Sequence, residues 1–440
     1  MRKHVRKRVL VAAGAFVALA ATAAAGTAAR ESGTAAAGKS PPSFELRIGN
    51  VLSFTGSLAG FGPSLDASTK IAVEEINAAL RRQNLANRMS VRIVGTEDDQ
   101  TQVQPAVEAA TKLVQVGKAN VLVGTILSAS TIAVAQSVAI PNGVVQIAPT
   151  SSSPLISELA DNNLVWRVST SDTFQSRALV RGMAARYGKK ATINVGARND
   201  AFGVALRDLF IDAWRKNGGK IGATVTWNAE APSLDSEAQE LVKGSPDGWV
   251  LIDLATGYQR LVPALVRAGG WSAEKTFVTN SMRNADLLKR IGERATDGLR
   301  GVSPVAPKGT VRTGFDDLFK RRAADKPLTG FEATSFDAVI LSFLAAVKGR
   351  SANGSAIKAN LRAVSGPPGK RYTYLQLGAA IKDLVAGKDI DYEGVWGPID
   401  YDAKGDPSAG FIELWSYKDG SLHTVSTFRL TDVPPKSGKK

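Results

Sequence analysis

Short apolar runs alternate with amphipathic stretches along the chain, and the alternation forms two series. In the first series, strands and helices are predicted in turn at 44–53, 63–82, 90–95, 105–116, 120–124 and 143–148. The second series repeats this rhythm at 191–196, 202–216, 221–227, 236–243, 249–254, 259–268 and 276–279. Strands that alternate with helices form mostly parallel sheets with helices on both faces. The pattern therefore predicts an α/β fold with two lobes.

The last third of the chain is predicted to be mixed. A strand that crosses between the lobes is expected at 299–306, and helices are expected at 315–322, 331–347, 357–363 and 375–384. From 397 to 430 the pattern favours strands joined by Gly-Asp and Asp-Gly turns.

The composition is that of a globular protein that needs no disulfides. The chain has 440 residues, 44% of them apolar and 22% charged, and this length exceeds what one hydrophobic core usually serves. It contains no cysteine, which excludes disulfides, thiolate nucleophiles, cysteine-bound zinc and the lipid anchor of a bacterial lipoprotein. Only His4 and His423 are histidines, so we expect no histidine-based metal site.

The net charge of +15 raises the question of a nucleic-acid partner. Much of the excess lies at the two ends, in 2–8 and 436–440. Between the ends, lysine and arginine mix with acids on predicted helix surfaces, and no basic run is interleaved with stacking aromatic residues. We therefore expect no nucleic-acid binding.

The first residues are typical of a secretory signal peptide. Residues 1–8 are cationic, 9–25 are apolar and rich in alanine, and small residues at 23–29 suit a signal peptidase. We expect a signal peptide at 1–29 and a flexible lead-in at 30–43. An uncleaved anchor is the alternative, because the apolar stretch approaches the roughly 20 residues that span a bilayer. The protein is thus expected to be exported and to be periplasmic, extracellular or associated with the cell envelope.

Three loops at predicted carboxyl ends of strands are rich in hydroxyl groups or aromatic rings. They cover 53–62, 124–131 and 148–154. In parallel α/β sheets, ligands bind at the carboxyl ends of strands, where helix N-termini favour anions such as carboxylates. A hydroxyl in such a loop also often caps a helix, but three loops in equivalent places favour a polar pocket.

Five sequence segments, by their order and spacing, carry a family resemblance. They are Thr55-Gly56-Ser57, Thr96-Glu97-Asp98-Asp99, Ser128-Ala129-Ser130-Thr131, Ala148-Pro149-Thr150-Ser151-Ser152 and Gly397-Pro398-Ile399-Asp400-Tyr401-Asp402. Over nearly the whole mature chain, the sequence resembles the type I periplasmic binding proteins of the branched-chain amino acid class. The resemblance implies two Rossmann-like lobes with parallel sheets, joined by a three-crossing hinge.

The resemblance also implies how the chain is divided. We expect crossings near Arg167, Leu299 and 405–412. The expected parts are lobe 1 at 44–167 and 300–405, lobe 2 at 168–299 and 406–433, and a basic tail at 434–440.

A ligand site between the lobes follows from the same resemblance. Ser128 matches the position whose hydroxyl and backbone hold a ligand carboxylate, and Thr150 and Ser152 match the loop that binds the head group. Phe61 falls where the family often has an aromatic lid, and Phe202 falls where lobe 2 adds an aromatic wall. Core packing is the alternative for both phenylalanines.

One position departs from the family pattern. Amino-acid binders of this family usually pair the ligand ammonium with a carboxylate of lobe 2, but the matching loop, 280–283, offers Ser281 and no acid. A buried ammonium without such a partner is costly. Asp253 is a substitute, and Thr256 belongs to a loop that is a further candidate wall. Ser151, in the loop 148–154, is a further candidate for ligand binding. The ligand is then an amino acid held differently, or a carboxylate or amide without an ammonium.

The motifs of common enzyme classes are incomplete. Segment 60–65 begins like a dinucleotide fingerprint, but Leu65 stands where the third glycine belongs. Segment 366–370 has the wrong spacing for a phosphate loop, and a Ser–His–Asp triad would have to use His423. Adjacent acids such as Glu97 and Asp98 cannot flank a bond from two sides. We expect neither catalysis nor a cofactor.

These observations predict a monomeric solute-binding protein. It would capture a small molecule between its lobes and deliver it to the permease subunits of an ABC importer. A ligand-sensing receptor ectodomain of the same fold is the alternative, and a hydrolase is a more distant one.

Overall fold

The computed structural model describes residues 40–284, 288–289 and 291–431. The expected signal peptide at 1–29, the lead-in up to residue 39 and the basic tail at 434–440 lie outside these residues.

The described residues form strands and helices close to the predicted positions. The strands are β1 (Phe44–Leu52), β2 (Met89–Asp98), β3 (Val121–Gly124), β4 (Val145–Ala148), β5 (Val165–Arg167), β6 (Thr192–Arg198), β7 (Lys220–Trp227), β8 (Gly248–Ile252), β9 (Thr276–Val278), β10 (Arg300–Val305), β11 (Lys370–Tyr372), β12 (Ile390–Gly394), β13 (Gly397–Pro398), β14 (Ala409–Lys418) and β15 (Ser421–Thr431). The helices are α1 (Gly62–Arg82), α2 (Val103–Gln115), α3 (Ser128–Val134), α4 (Ile140–Asn142), α5 (Asp172–Tyr187), α6 (Gly203–Lys216), α7 (Asp235–Leu241), α8 (Ala255–Ala268), α9 (Glu293–Thr296), α10 (Thr310–Arg322), α11 (Glu332–Lys348), α12 (Gly354–Ser365) and α13 (Leu377–Val385).

Lobe 1 is built on a parallel sheet with the strand order β2-β1-β3-β4-β5. Val51 pairs with Gly124 and Leu52 pairs with Asp98, so the carboxyl ends of β1, β2 and β3 lie at one edge. The apolar strands β3 and β4 are buried at every residue, as expected for strands covered on both faces. This register brings the loops after β1 and β3 together.

Lobe 2 is built on a larger sheet with the order β15-β14-β10-β9-β8-β6-β7. The strands from β6 to β10 are parallel, and the hairpin of β14 and β15 adds two antiparallel strands at one edge. The sequence placed 300–405 in lobe 1, but β10 pairs with β9 and β14 in the sheet of lobe 2. The second crossing therefore follows β10 instead of preceding it near Leu299.

A long apolar helix forms the centre of lobe 1. In α11, every residue from Glu332 to Val347 is buried, and α1 and α12 pack against it. A helix that is apolar on all sides is stable only where other elements cover it. Among the described residues, no helix has the length and apolar character needed to cross a bilayer.

Two of the three crossings are joined by a buried ion pair. Arg167, at the end of β5, donates to both carboxylate oxygens of Asp406, with Nε–Oδ1 at 2.7 Å and Nη2–Oδ2 at 2.6 Å. The Arg167 side chain is 0% exposed and that of Asp406 is 10% exposed. Arg167 Nη1 also donates to the carbonyl of Ser153, at 2.8 Å. The pair holds the first and third crossings side by side.

Candidate functional site

A cavity lies between the two lobes, and the space within its lining, including the part open to solvent, is about 450 Å³. The residues of lobe 1 that line it are Leu58, Phe61, Ile126, Leu127, Ser128, Thr150, Ser151, Ser152 and Phe331. The residues of lobe 2 that line it are Phe202, Leu254, Asn280 and Ser281.

The strand ends of both sheets position these residues. Ser128 begins α3 just after β3, and Thr150 to Ser152 follow β4. On the other side, Phe202 precedes α6 and Leu254 precedes α8, while Asn280 and Ser281 follow β9. The carboxyl ends of both sheets thus face each other across the cavity. Parallel α/β sheets usually bind their ligands at this end of the strands.

Among the hydroxyl groups with which lobe 1 lines the cavity, two have protons that no described acceptor takes. The backbone N–H of Ser153 donates to Ser128 Oγ at 3.3 Å, which leaves the hydroxyl proton of Ser128 uncommitted. Thr150 is 8% exposed, and its Oγ1 has no hydrogen-bond partner among the described residues. Ser151 differs, because its hydroxyl lies within 3.0 Å of the carbonyls of Thr125 and Ile126.

The polar side chains with which lobe 2 lines the cavity are the amide of Asn280 and the hydroxyl of Ser281. Ser281 Oγ donates to the carbonyl of Asp253 at 2.6 Å. Asn280 Oδ1 is buried and has no partner within the described part of the chain. The amide of Asn280 is therefore the polar group of this wall that is available to a ligand.

Aromatic rings close the apolar side of the cavity. Phe61 and Phe331 meet edge to face with centroids 5.9 Å apart, and Phe331 also stacks on Trp396 at 5.4 Å. Phe61 precedes α1, whose first residue, Gly62, lies so close to β1 that a Cβ there would be 2.1 Å from the carbonyl oxygen of Ser53. Glycine at this position lets α1 start against the strand and so fixes Phe61 over the cavity.

Asp253 and Thr256, which the sequence analysis named as candidates, do not line the cavity. The Asp253 carboxylate accepts from Trp227 Nε1 at 2.9 Å and from the backbone N–H of Leu254 at 2.7 Å, and Arg198 Nη1 lies 3.6 Å away. Burial raises the pKa of Asp253 to about 6, against the attraction of Arg198. These partners turn the acid into the interior of lobe 2, because a buried carboxylate requires donors.

Thr256 instead connects the lobes beside the cavity. Its Oγ1 lies 2.7 Å from Ser57 Oγ of lobe 1. A second contact of this kind joins Ser153 Oγ to the carbonyl of Ala201, at 2.6 Å. Both contacts are neutral hydrogen bonds between facing loops.

A buried acid lies directly behind the hydroxyls of lobe 1. Asp172, the first residue of α5, is 0% exposed, and its backbone N–H donates to the carbonyl of Ser152. Burial raises the pKa of Asp172 to about 7, while the Ser152 hydroxyl and the Gln175 amide favour its ionised form. Gln175 Nε2 donates to Asp172 Oδ1 at 2.5 Å. The sequence analysis missed this acid, since α5 was not predicted.

The structure brings together seven of the nine predicted site residues. They are Phe61, Ser128, Thr150, Ser151, Ser152, Phe202 and Ser281. The prediction missed six lining residues, which are Leu58, Ile126, Leu127, Leu254, Asn280 and Phe331. Most of these are apolar, and an apolar residue next to a polar loop gives no sequence signal that separates a ligand wall from core. Among the described residues, no cluster of metal-binding side chains occurs.

The family model described as "Periplasmic binding protein" matches residues 45–386. The chain is 23% identical over 385 residues to the chemotactic signal transduction system substrate-binding protein BasB of Halobacterium salinarum. The aligned region covers 86% of this chain and 88% of that protein.

Solved structures of the same fold match this chain over almost their whole length. The leucine-binding protein LivK of Thermotoga maritima is similar with a TM-score of 0.68 and 19% identity, over 87% of this chain and 98% of that one. A solute-binding protein of an ABC transporter from R. palustris, in complex with benzoate, is similar with a TM-score of 0.67 and 20% identity, over 87% and 96% of the two chains.

Proposed function

The chain belongs to the periplasmic binding protein family, and from this premise we propose that it is the extracytoplasmic solute-binding protein of an ABC importer. It captures a small amino acid-like, carboxylate or amide ligand between its lobes and passes it to permease subunits. It acts as a monomer after export and catalyses no reaction.

The observation that carries the proposal is the cavity itself. Uncommitted hydroxyls of lobe 1 face apolar and amide groups of lobe 2 across it. In this role, the hydroxyls of Ser128 and Thr150 and the loop at Ser152, whose own hydroxyl is bonded to Asp172, hold the polar head of the ligand. Phe61 and Phe202 cover its apolar part. The leucine-binding and benzoate-bound relatives support a small carboxylate-bearing ligand.

Closure of the lobes is the step that the ligand controls. A ligand that contacts both lobes shifts the open–closed equilibrium by its difference in affinity for the two states. The closed form is the one that a permease would recognise.

A thermal-shift screen over amino acids, amides and small carboxylates tests the proposal. A ligand at about 100 times its Kd stabilises the folded protein by about 2.7 kcal/mol, which raises the melting temperature. Hits are then titrated by calorimetry. If no compound of these three classes raises the melting temperature, the proposed function is wrong.

A receptor ectodomain is the second candidate, favoured by the similarity to the chemotactic protein BasB. Deletion of the coding sequence distinguishes the two roles. Loss of uptake of the identified ligand supports the importer, and intact uptake with loss of the response to the ligand supports the receptor.

A further inference from the structure

The cavity has hydrogen-bond donors for one anionic head group and no charged side chain in its described lining. We propose that this site selects a small apolar monocarboxylate that carries no ammonium group. The inference rests on the function proposed above and narrows its ligand class.

The donors match the two oxygens of a carboxylate. Ser128 and Thr150 each have a hydroxyl proton that no described protein acceptor takes, and Thr150 is more than nine-tenths buried. A buried hydroxyl without a partner costs free energy, which an anionic acceptor would recover through a charge-assisted hydrogen bond. The protons of Ser151 and Ser281 are directed to backbone carbonyls and are not available.

The nearby acids are poorly placed to receive an ammonium. Asp253 already has the Trp227 N–H and the Arg198 guanidinium as partners. Asp172 is fully buried and accepts from the Gln175 amide on Oδ1, and although its Oδ2 has no partner among the described residues, the acid does not line the cavity. An ammonium in the cavity would meet only neutral oxygens, and a buried cation without a charged partner is costly.

Asp172 is bonded to Ser152 of the lining through its backbone N–H, and burial makes its carboxyl a weaker source of repulsion for an anion near neutral pH. Burial raises its pKa to about 7, and the charged groups that act on it are Arg167, which favours the ionised form, and Asp200, which disfavours it. The raised pKa favours the neutral form of Asp172 relative to an exposed aspartate.

The remaining walls fit an apolar body. Phe61, Phe331 and Phe202 supply rings, and Leu58, Ile126 and Leu254 supply aliphatic side chains. Branched aliphatic and aromatic bodies both match this lining.

Matched ligand pairs test the proposal by calorimetry at pH 7. The pairs are 4-methylpentanoate with leucine and 3-phenylpropanoate with phenylalanine, which differ only in the ammonium group. We expect the carboxylate of at least one pair to bind about tenfold or more tightly than its amino acid, because the amino acid must bury an unpaired charge. Amino acids that bind as tightly as the carboxylates, or more tightly, would overturn the proposal and leave the solute-binding function supported. If carboxylates, amino acids and amides all fail to bind, both the proposed selectivity for monocarboxylates and the proposed solute-binding function are overturned.

Two near-isosteric substitutions test the roles of the two walls. Thr150→Val removes the hydroxyl and keeps the shape, and we expect it to weaken carboxylate binding about tenfold or more. Asn280→Asp adds a charge to lobe 2, and we expect it to weaken carboxylate binding by a similar factor and to strengthen leucine binding.

The matched control is Ser342→Ala, since Ser342 is a buried serine of α11 whose hydroxyl donates to the carbonyl of Ala338 at 2.7 Å. It should leave the affinity unchanged, and thermal melts confirm that each variant folds. Carboxylate affinities that do not change in either cavity variant would contradict the proposed placement of the head group.

Discussion

The lobes are joined in two different ways, at the hinge and at the cleft. At the hinge, Arg167 and Asp406 form a bidentate ion pair that is almost completely buried. At the cleft, the contacts between facing loops are neutral, such as the hydrogen bond between Ser57 and Thr256.

The two kinds of contact differ in the free energy needed to break them. Breaking a buried ion pair by removing one partner is strongly destabilising. A neutral hydrogen bond contributes only about 0.5–1.5 kcal/mol, because water replaces it when it opens. The chain thus places its strong interaction where the crossings meet and its weak ones between the facing loops, which suits the proposed closure of the lobes.

The largest effect is expected at the hinge. Asp406→Asn leaves a buried guanidinium without its counter-charge, and we expect it to lower the free energy of unfolding by about 3–5 kcal/mol, measured by urea denaturation. The control is Asp212→Asn, which removes an exposed pair with Lys216 and should cost about 1 kcal/mol or less. Equal losses for the two variants would show that the hinge pair is no stronger than a surface pair.

The next effect is expected on ligand affinity at the cleft. Ser128→Ala removes one of the uncommitted donors, and we expect it to weaken binding by about 1–3 kcal/mol, because polar ligand atoms are left unpaired. Titration calorimetry with the ligand found in the screen measures this loss. An unchanged Kd would remove Ser128 from the site.

Asp172 lies between the two regions, and its effect depends on pH. Its folded-state pKa of about 7 exceeds the ordinary value of 3.8, so the folded protein holds a proton that the unfolded chain releases. This acid therefore lowers the free energy of unfolding progressively as the pH rises from about 4 to about 7.

Comparison with Asp172→Asn, which does not titrate, isolates this contribution. We expect the stability of the variant relative to the wild type to increase by about 2 kcal/mol between about pH 5 and pH 8. Urea denaturation at the two pH values measures the difference. A difference that does not change with pH would mean that Asp172 titrates alike in both states.

The smallest effect is expected at the neutral contact between the lobes. Thr256→Val removes the hydrogen bond to Ser57, and we expect ligand affinity to fall by about 0.5–1.5 kcal/mol through a less stable closed state. Calorimetry measures the change. A loss as large as that of Ser128→Ala would mean that Thr256 contacts the ligand itself.

The sequence predicted most of the fold, because long periodic segments determine their own type. It missed α5 because Phe174, Ala178 and Leu179 are buried while Arg177 and Arg181 stand among them, so no clean apolar face marks the helix. It missed β5 because three residues are too short for a pattern. It placed β10 in the wrong lobe because alternation along a strand does not reveal which sheet the strand joins.

The candidate site was predictable where the signal was local. Hydroxyl-rich loops after strands identified Ser128, Thr150 and Ser152 as candidates, and the structure brings these residues to one cavity. Phe331 reaches the same cavity from a distant helix start, and only the tertiary packing reveals this. Asp253 looked available because the sequence does not show that Trp227 and Arg198 surround it.

The stack of Phe331 on Trp396 gives the protein a built-in optical probe. A guest resting on Phe331 is separated from an indole by one phenyl ring. Indole emission changes with the polarity and packing around the ring, so filling the cavity should alter the intrinsic fluorescence of Trp396 without any attached dye.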